Sequence, residues 1–389
     1  MGAYLSSPVT DKESGQGDNF SFASMQGWRT DHEDAHICDS QFLPGVSLFA
    51  VFDGHGGAEV ACFAAQRFPD ILKDAVNRLG HVNPTAEQLS AALVSAFEGV
   101  DEALRKPENF ALVESLKSTK QISNTAQKPQ ALALLQASIA SDLQELRDRG
   151  GTLSREEASA MMMKMMFARK LETQVNNQST PSSTTPSPTC TPTLPTAGCT
   201  ANALLITASH VICANAGDSR AVLSRKGGQV EALSEDHKPN DLHEKARIEA
   251  AGGWVETIEG SGGARTHYRV NGNLNLSRAL GDLEYKKRED LPPKAQIITA
   301  TPDVKVVERL EGDEFVLVAC DGIWDVKDNQ AAVDFFRAKG IRGKVDKEEK
   351  DCAILKKAVE DLLDDCLAID AKESMGIGAD NMTAILVLL

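Results

Sequence analysis

No run of about 18 apolar residues occurs in the chain, and no basic-then-apolar leader opens it. The sequence therefore predicts neither a membrane-spanning helix nor a secreted product. The eight cysteines form no CxxC pair and no Cys/His cluster, which argues against a thiolate zinc site and predicts buried or free thiols, kept reduced in a cytoplasmic protein. Positive charge is scarce. Against 56 Asp and Glu stand 41 Lys and Arg, for a net charge of -15, so neither nucleic acid nor an anionic membrane is expected as an electrostatic partner. What the chain does have is apolar content of 42% over 389 residues, enough for a full core in one large or two ordinary domains and too much for global disorder.

Ser47 to Gly57 reads SLFAVFDGHGG. Leu48 to Phe52 has the length and composition of a buried strand, and the glycines that follow end it, leaving Asp53 and His55 at a strand terminus. The layout recurs. FVLVACDGIWD places Asp321 after the run Phe315 to Cys320, and ADNMTAILVLL places Asp380 just before the closing apolar run. Taken singly, each acid would be a turn or cap residue; three at strand ends point to a metal. GWRTDHEDAH adds Glu33 and Asp34, with Arg29 before them as a planar cation suited to phosphate. Hard oxygen donors without clustered thiols favour Mg²⁺ or Mn²⁺, as a pair of ions.

MQGWRTDHEDAH, FAVFDGHGG, GCTA, ANAGDSRAVL, DHKP, RVNGNLNLSRALGD, ACDGIWDV and ADNMTAILV follow one another in an order that resembles the metal-dependent serine/threonine protein phosphatases of type 2C. The resemblance implies an α+β fold, a four-layer α-β-β-α sandwich of two mainly antiparallel sheets flanked by helices. It implies that Asp53 bridges two ions, that the Gly54 carbonyl binds one, and that Asp321 and Asp380 complete the other. Glu33 and Asp34 would hold metal waters, Arg29 would clamp phosphate, and His55 would act as general acid. Acids matching Asp218 and Asp325, with Asp321, hold a third ion in some relatives. The implied reaction is hydrolysis of phosphoserine and phosphothreonine in protein substrates by a water bridging the two ions.

Duller roles stand beside these. Arg29 alone would be a surface ion-pair partner, and Asp218 with Ser219 would make the turn of a hairpin between ANA and AVLS. Val60, Phe63, Ala64, Arg67 and Ile71 fall near helical spacing, and Thr85 to Gln88 forms a capping box before a second helix. Short β-rich runs follow from Gly198. Residues 1–18 read as an N-terminal segment and 19–389 as the catalytic domain, interrupted by an insert over 106–197. Met-Gly-Ala-Tyr-Leu-Ser fits N-myristoylation at Gly2, and a single acyl chain without a polybasic partner gives only reversible membrane attachment; an ordinary initiator segment is the competing reading.

Within the insert, 130–149 has helical spacing, Ser154 to Glu157 forms a further capping box before MMMKMMFARK, and Asn176 to Thr196 is a Ser/Thr/Pro linker carrying Thr185 and Ser187. The methionines suit either a self-packing helix or a binding groove. Glycine-rich Gly252 to Tyr268 reads as a flap beside the site or as a surface loop. A monomeric phosphatase leads these readings. A phosphatase-fold binding protein that holds a partner through the insert is the alternative, and a two-metal nuclease lacks the basic groove it needs.

Overall fold

The computed structural model describes residues 4–80, 83–125, 194–259, 266–343 and 349–389. Residues 1–116 and 193–389 form one compact unit, and Lys117–Pro192 separate as another. Gly2, the helical spacing expected over 130–149, the Ser154 capping box with its methionine run, and the linker as far as residue 193, with Thr185 and Ser187, lie outside the described residues, as do 260–265 of the glycine-rich stretch.

Two sheets face each other. The first carries β3 (Ala35–Leu43), β4 (Val46–Phe52), β7 (Ala201–Ile206), β8 (His210–Ala216) and β14 (Asp303–Glu308), in the order β14-β8-β7-β4-β3. The second carries β1 (Tyr4–Gln16), β2 (Phe20–Arg29), β9 (Arg220–Ser224), β10 (Val230–Ala232), β15 (Phe315–Ala319) and β16 (Met382–Leu388), in the order β1-β2-β16-β15-β9-β10. All pairings within them are antiparallel. Residues 4–16 thus form an edge strand of the second sheet, so the domain takes in most of the segment the sequence reading set apart at 1–18.

The apolar runs are continuous because both faces of the central strands are buried, and successive side chains point to opposite faces. On β4, Leu48, Ala50 and Phe52 pack under α1 (Glu59–Arg78) and α2 (Ala86–Arg105), while Phe49 and Val51 enter the layer between the sheets. On β15, Phe315, Leu317 and Ala319 meet the helices α6 (Asn329–Ala338) and α7 (Glu349–Cys366), while Val316 and Val318 face the first sheet. Four layers result, α-β-β-α. Truncating a fully buried ring such as Phe49 to alanine should cost about 3–5 kcal/mol.

Helix α2 starts at the capping box as read: Thr85 accepts from the Gln88 N–H and the Gln88 side chain accepts from the Thr85 N–H. On α1 the buried stripe runs through Val60, Phe63, Ala64, Phe68 and Leu72; Arg67 is exposed, one position off the expected spacing. Between these helices and the next sheet elements, α3 spans Pro107–Thr125, with Val113 and Leu116 buried in the same core.

Candidate active site

The acids converge because the strands that carry them end at one edge of the sandwich. β4 delivers Asp53, β15 delivers Asp321 at the start of α5 (Asp321–Trp324), Asp380 precedes β16, and Arg29 closes β2. Rigid packing fixes their positions. Phe52 stacks edge-on against Phe68 at 5.9 Å, and Phe68 against Phe97 at 5.4 Å, tying the end of β4 to both helices. The Trp324 indole N–H donates to the Ala319 carbonyl at 2.8 Å and locks the turn that presents Asp321.

Gly217, Asp218 and Ser219 do not make a hairpin. β8 lies in the first sheet and β9 in the second, so this connection crosses between sheets at the same edge and places buried Asp218 beside Asp53 and Asp321. Oxygens of these three carboxylates lie within 4.8 Å of one another. Asp325 is exposed at the end of α5. A cavity of about 270 Å³ is lined by Arg29, Glu33, Asp53, Gly54, His55, Asp218, Asp321 and Asp380, together with Thr200 and Asn381.

A small loop brings in the remaining residues. Asn381 accepts from the Glu33 N–H at 2.9 Å and donates to the carbonyls of Gln26 and Asp31, while the Thr383 hydroxyl donates to Asp34 at 2.6 Å. Arg29 Nη2 donates to Asp380 Oδ2, and its Nε has no hydrogen-bond partner among the described residues. Gly54 must lack a side chain, since a Cβ there would stand 2.3 Å from the Glu33 carbonyl oxygen. Asn381 and Thr383 lie in the ADNMTAILV segment, where nothing in their spacing signals these contacts.

Electrostatics mark the cavity as unbalanced. Desolvation first, then the neighbouring carboxylates Asp321, Asp34, Asp380 and Asp218, hold Asp53 well above the usual carboxylate range. Asp321 is raised in the same way, by desolvation and then by Asp218 and Asp380. Oxygen donors crowded so that they repel one another fit a divalent cation of the Mg²⁺ or Mn²⁺ kind. At Asp218 one cation is already supplied: Lys238 Nζ contacts its Oδ2 at 2.6 Å. Lys238 lies in the DHKP segment, and its role was missed because no spacing rule links it to Asp218.

His55 Nε2 sits 2.7 Å from Oδ2 of buried Asp282. Burial alone would lower the imidazole pKa; Asp282, with smaller help from Asp218 and Glu33, outweighs it and leaves the pKa raised. Asp282 also escaped sequence reasoning. It stands in the RALGD segment, 227 residues away from His55.

The chain belongs to the Protein phosphatase 2C family, whose model matches residues 18–126 and 142–375, and it is accordingly a protein serine/threonine phosphatase of metal-dependent type. It is 38% identical to Probable protein phosphatase 2C 6 of Paramecium tetraurelia over 100% of this chain and 99% of that one. Protein phosphatase 2C homolog 2 of Schizosaccharomyces pombe is 37% identical over 100% of this chain and 78% of its own. Both alignments run through residues 106–197. In fold it is similar to a crystal structure of a phosphatase from Toxoplasma gondii, with a TM-score of 0.58 and 20% identity over 97% of this chain and 96% of that one.

Proposed function

We propose that this phosphatase hydrolyses phosphoserine and phosphothreonine in proteins by direct in-line attack of water, with two Mg²⁺ or Mn²⁺ ions held at the carboxylate cluster and no covalent intermediate. The observation that carries this reading is the meeting of Asp53, Asp218 and Asp321 oxygens within 4.8 Å at a strand-end cavity that also holds Arg29 and His55. Asp53 and the Gly54 carbonyl would hold one ion, Asp53, Asp321 and Asp380 the other, and Asp218, Asp321 and Asp325 a third. Bound there, such ions lower the pKa of water and offset the roughly two negative charges of a phosphate monoester.

The chain's own groups do the rest. Arg29 presents a guanidinium at the cavity mouth, suited to equatorial phosphate oxygens whose charge grows during attack. Glu33, whose backbone N–H is held by Asn381, and Asp34, held behind the cavity by Thr383, would accept hydrogen bonds from water at the site and orient it. Water adds to phosphorus as the phosphorus–oxygen ester bond breaks, and His55 gives its proton to the departing serine or threonine oxygen. Equilibrium dialysis should find two tightly held Mn²⁺ per chain in the wild type and fewer in Asp53→Asn. Mass spectrometry of enzyme quenched during turnover should show no phosphorylated protein; a phosphoenzyme would overturn direct attack.

Reversible membrane attachment through an acylated Gly2 of an otherwise cytoplasmic monomer is part of the proposal, supported by the Met-Gly-Ala-Tyr-Leu-Ser start. Intact mass after coexpression with an N-myristoyltransferase tests it, and an unmodified Gly2 would refute it.

A further inference from the structure

The geometry points to Asp282 as the residue that positions His55, holding the imidazole by Nε2 so that Nδ1 is the nitrogen that serves the leaving oxygen. This rests on the reading of His55 as general acid. An imidazole has two ring nitrogens, and the hydrogen bond made by one fixes the orientation of the other. Asp282 Oδ2 takes Nε2 at 2.7 Å, while Nδ1 has no hydrogen bond among the described residues.

The surroundings are built for that contact. Asp282 is only 2% exposed and adopts the left-handed conformation, φ 46 and ψ 40, which a side chain other than Asn or Asp adopts at a cost. Its N–H donates to the Ala197 carbonyl at 3.1 Å. The preceding residue is pinned as well. The Gly281 N–H donates to Asp101 Oδ1 at 2.8 Å, and Asp101 in turn accepts from Lys286, whose Nζ also donates to the Ala279 carbonyl at 2.7 Å. Gly198 lies opposite His55 across a short strand pair. A Cβ at that position would stand 2.3 Å from Asp282 Oδ2 and 2.6 Å from His55 Nε2, so the pair can meet only because that side chain is missing. During turnover the proton leaves Nδ1 for the alkoxide, and the neutral ring keeps Nε2–H donated to Asp282.

Asp282→Asn is the sharp test, because Asn tolerates the left-handed backbone and keeps the volume. Its kcat on a phosphothreonine peptide should fall about 10- to 100-fold, with less than about a 3-fold loss on p-nitrophenyl phosphate, whose leaving group needs little protonation. KM, Mn²⁺ half-saturation and melting temperature should stay near wild type. The double variant Asp282→Asn/His55→Gln should be no slower than His55→Gln alone, since the two residues act as one unit. Gly198→Ala, which intrudes on the contact from the other side, should show the same selective loss. Equal losses on both substrates, additivity with His55→Gln, or a shifted Mn²⁺ requirement would overturn the role of Asp282. If His55→Gln itself loses equally on both substrates, the general-acid reading fails and the positioning role falls with it.

Discussion

Two acidic sites in this molecule behave in opposite ways. Glu244, on the helix α4 (Leu242–Ala250), accepts from Arg278 at 2.8 and 3.1 Å, from Arg247 at 2.7 Å and from the Ser277 hydroxyl at 2.5 Å. Burial pushes its pKa up, but those donors overcome it and bring the carboxyl down to about 2. At the cavity edge the same residue chemistry runs the other way. Asp53 and Asp321 are both held above the normal range, with more carboxylates than cations beside them. Where an acid serves the fold, the chain supplies its counterions; where the charge is left over, a cation must come from outside.

Volume is a poorer guide than this charge imbalance. The far end of the sandwich carries a groove of about 950 Å³ lined by Phe42, Leu43, Ile206 and Leu388, with no comparable gathering of acids, whereas the catalytic cavity is about 270 Å³.

The sharpest way to break the comparison is Asp53→Asn. Turnover should drop by about 10³-fold or more, the loss of several kcal/mol of transition-state stabilisation. Without metal its melting temperature should match or exceed that of the wild type, because one member of a repelling set has been neutralised. Mn²⁺ should raise the wild-type melting temperature and leave the variant's nearly unmoved. Thermal melts with and without Mn²⁺, alongside turnover, check all three.

His55→Gln comes next. Hydrolysis of a phosphothreonine peptide should slow about 10²- to 10⁴-fold, with a far smaller loss on an aryl phosphate and little change in metal affinity. Parallel kinetics on the two substrates decide it.

Glu244→Gln should invert the pattern, leaving the Mn²⁺ requirement intact and costing stability. A drop from 4.5 to about 2 corresponds to about 3 kcal/mol at neutral pH. Since the folded pKa is the lower one, that contribution is fully present above pH 4.5 and is lost as pH falls toward 2. Urea melts across that range should show the wild type losing stability on acidification more steeply than the variant.

The smallest effect is expected from removing residues 118–192 and joining the ends with a flexible connection. The cut belongs beyond Leu116, because Val113 and Leu116 are core residues. Turnover of an aryl phosphate should stay within several-fold of wild type, while selection among phosphoprotein substrates changes; assays on both kinds of substrate separate the two.

Much of this was legible in the sequence for one physical reason. A strand buried on both faces writes an unbroken apolar run, so the ends of FAVF, FVLVAC and AILVLL were visible, and with them Asp53, Asp321 and Asp380. The Thr85 capping box was visible because its hydrogen bonds are local. What stayed hidden depends on pairing across long separations. A hairpin at Gly217 to Ser219 was a fair reading of the turn residues, and only sheet topology shows that the chain changes sheets there. Tyr4–Gln16 carries exposed polar residues along an edge strand, which leaves little apolar periodicity to read. Lys238 at Asp218 and Asp282 at His55 answer to no spacing rule.

The central claim is that the surplus of carboxylates at this edge exists to hold divalent metal for phosphate ester hydrolysis. Turnover of a phosphothreonine peptide, measured in excess chelator and again after adding Mn²⁺ or Mg²⁺, tests it most directly. The account predicts no turnover with chelator and recovery with either ion; full activity in excess chelator would contradict it.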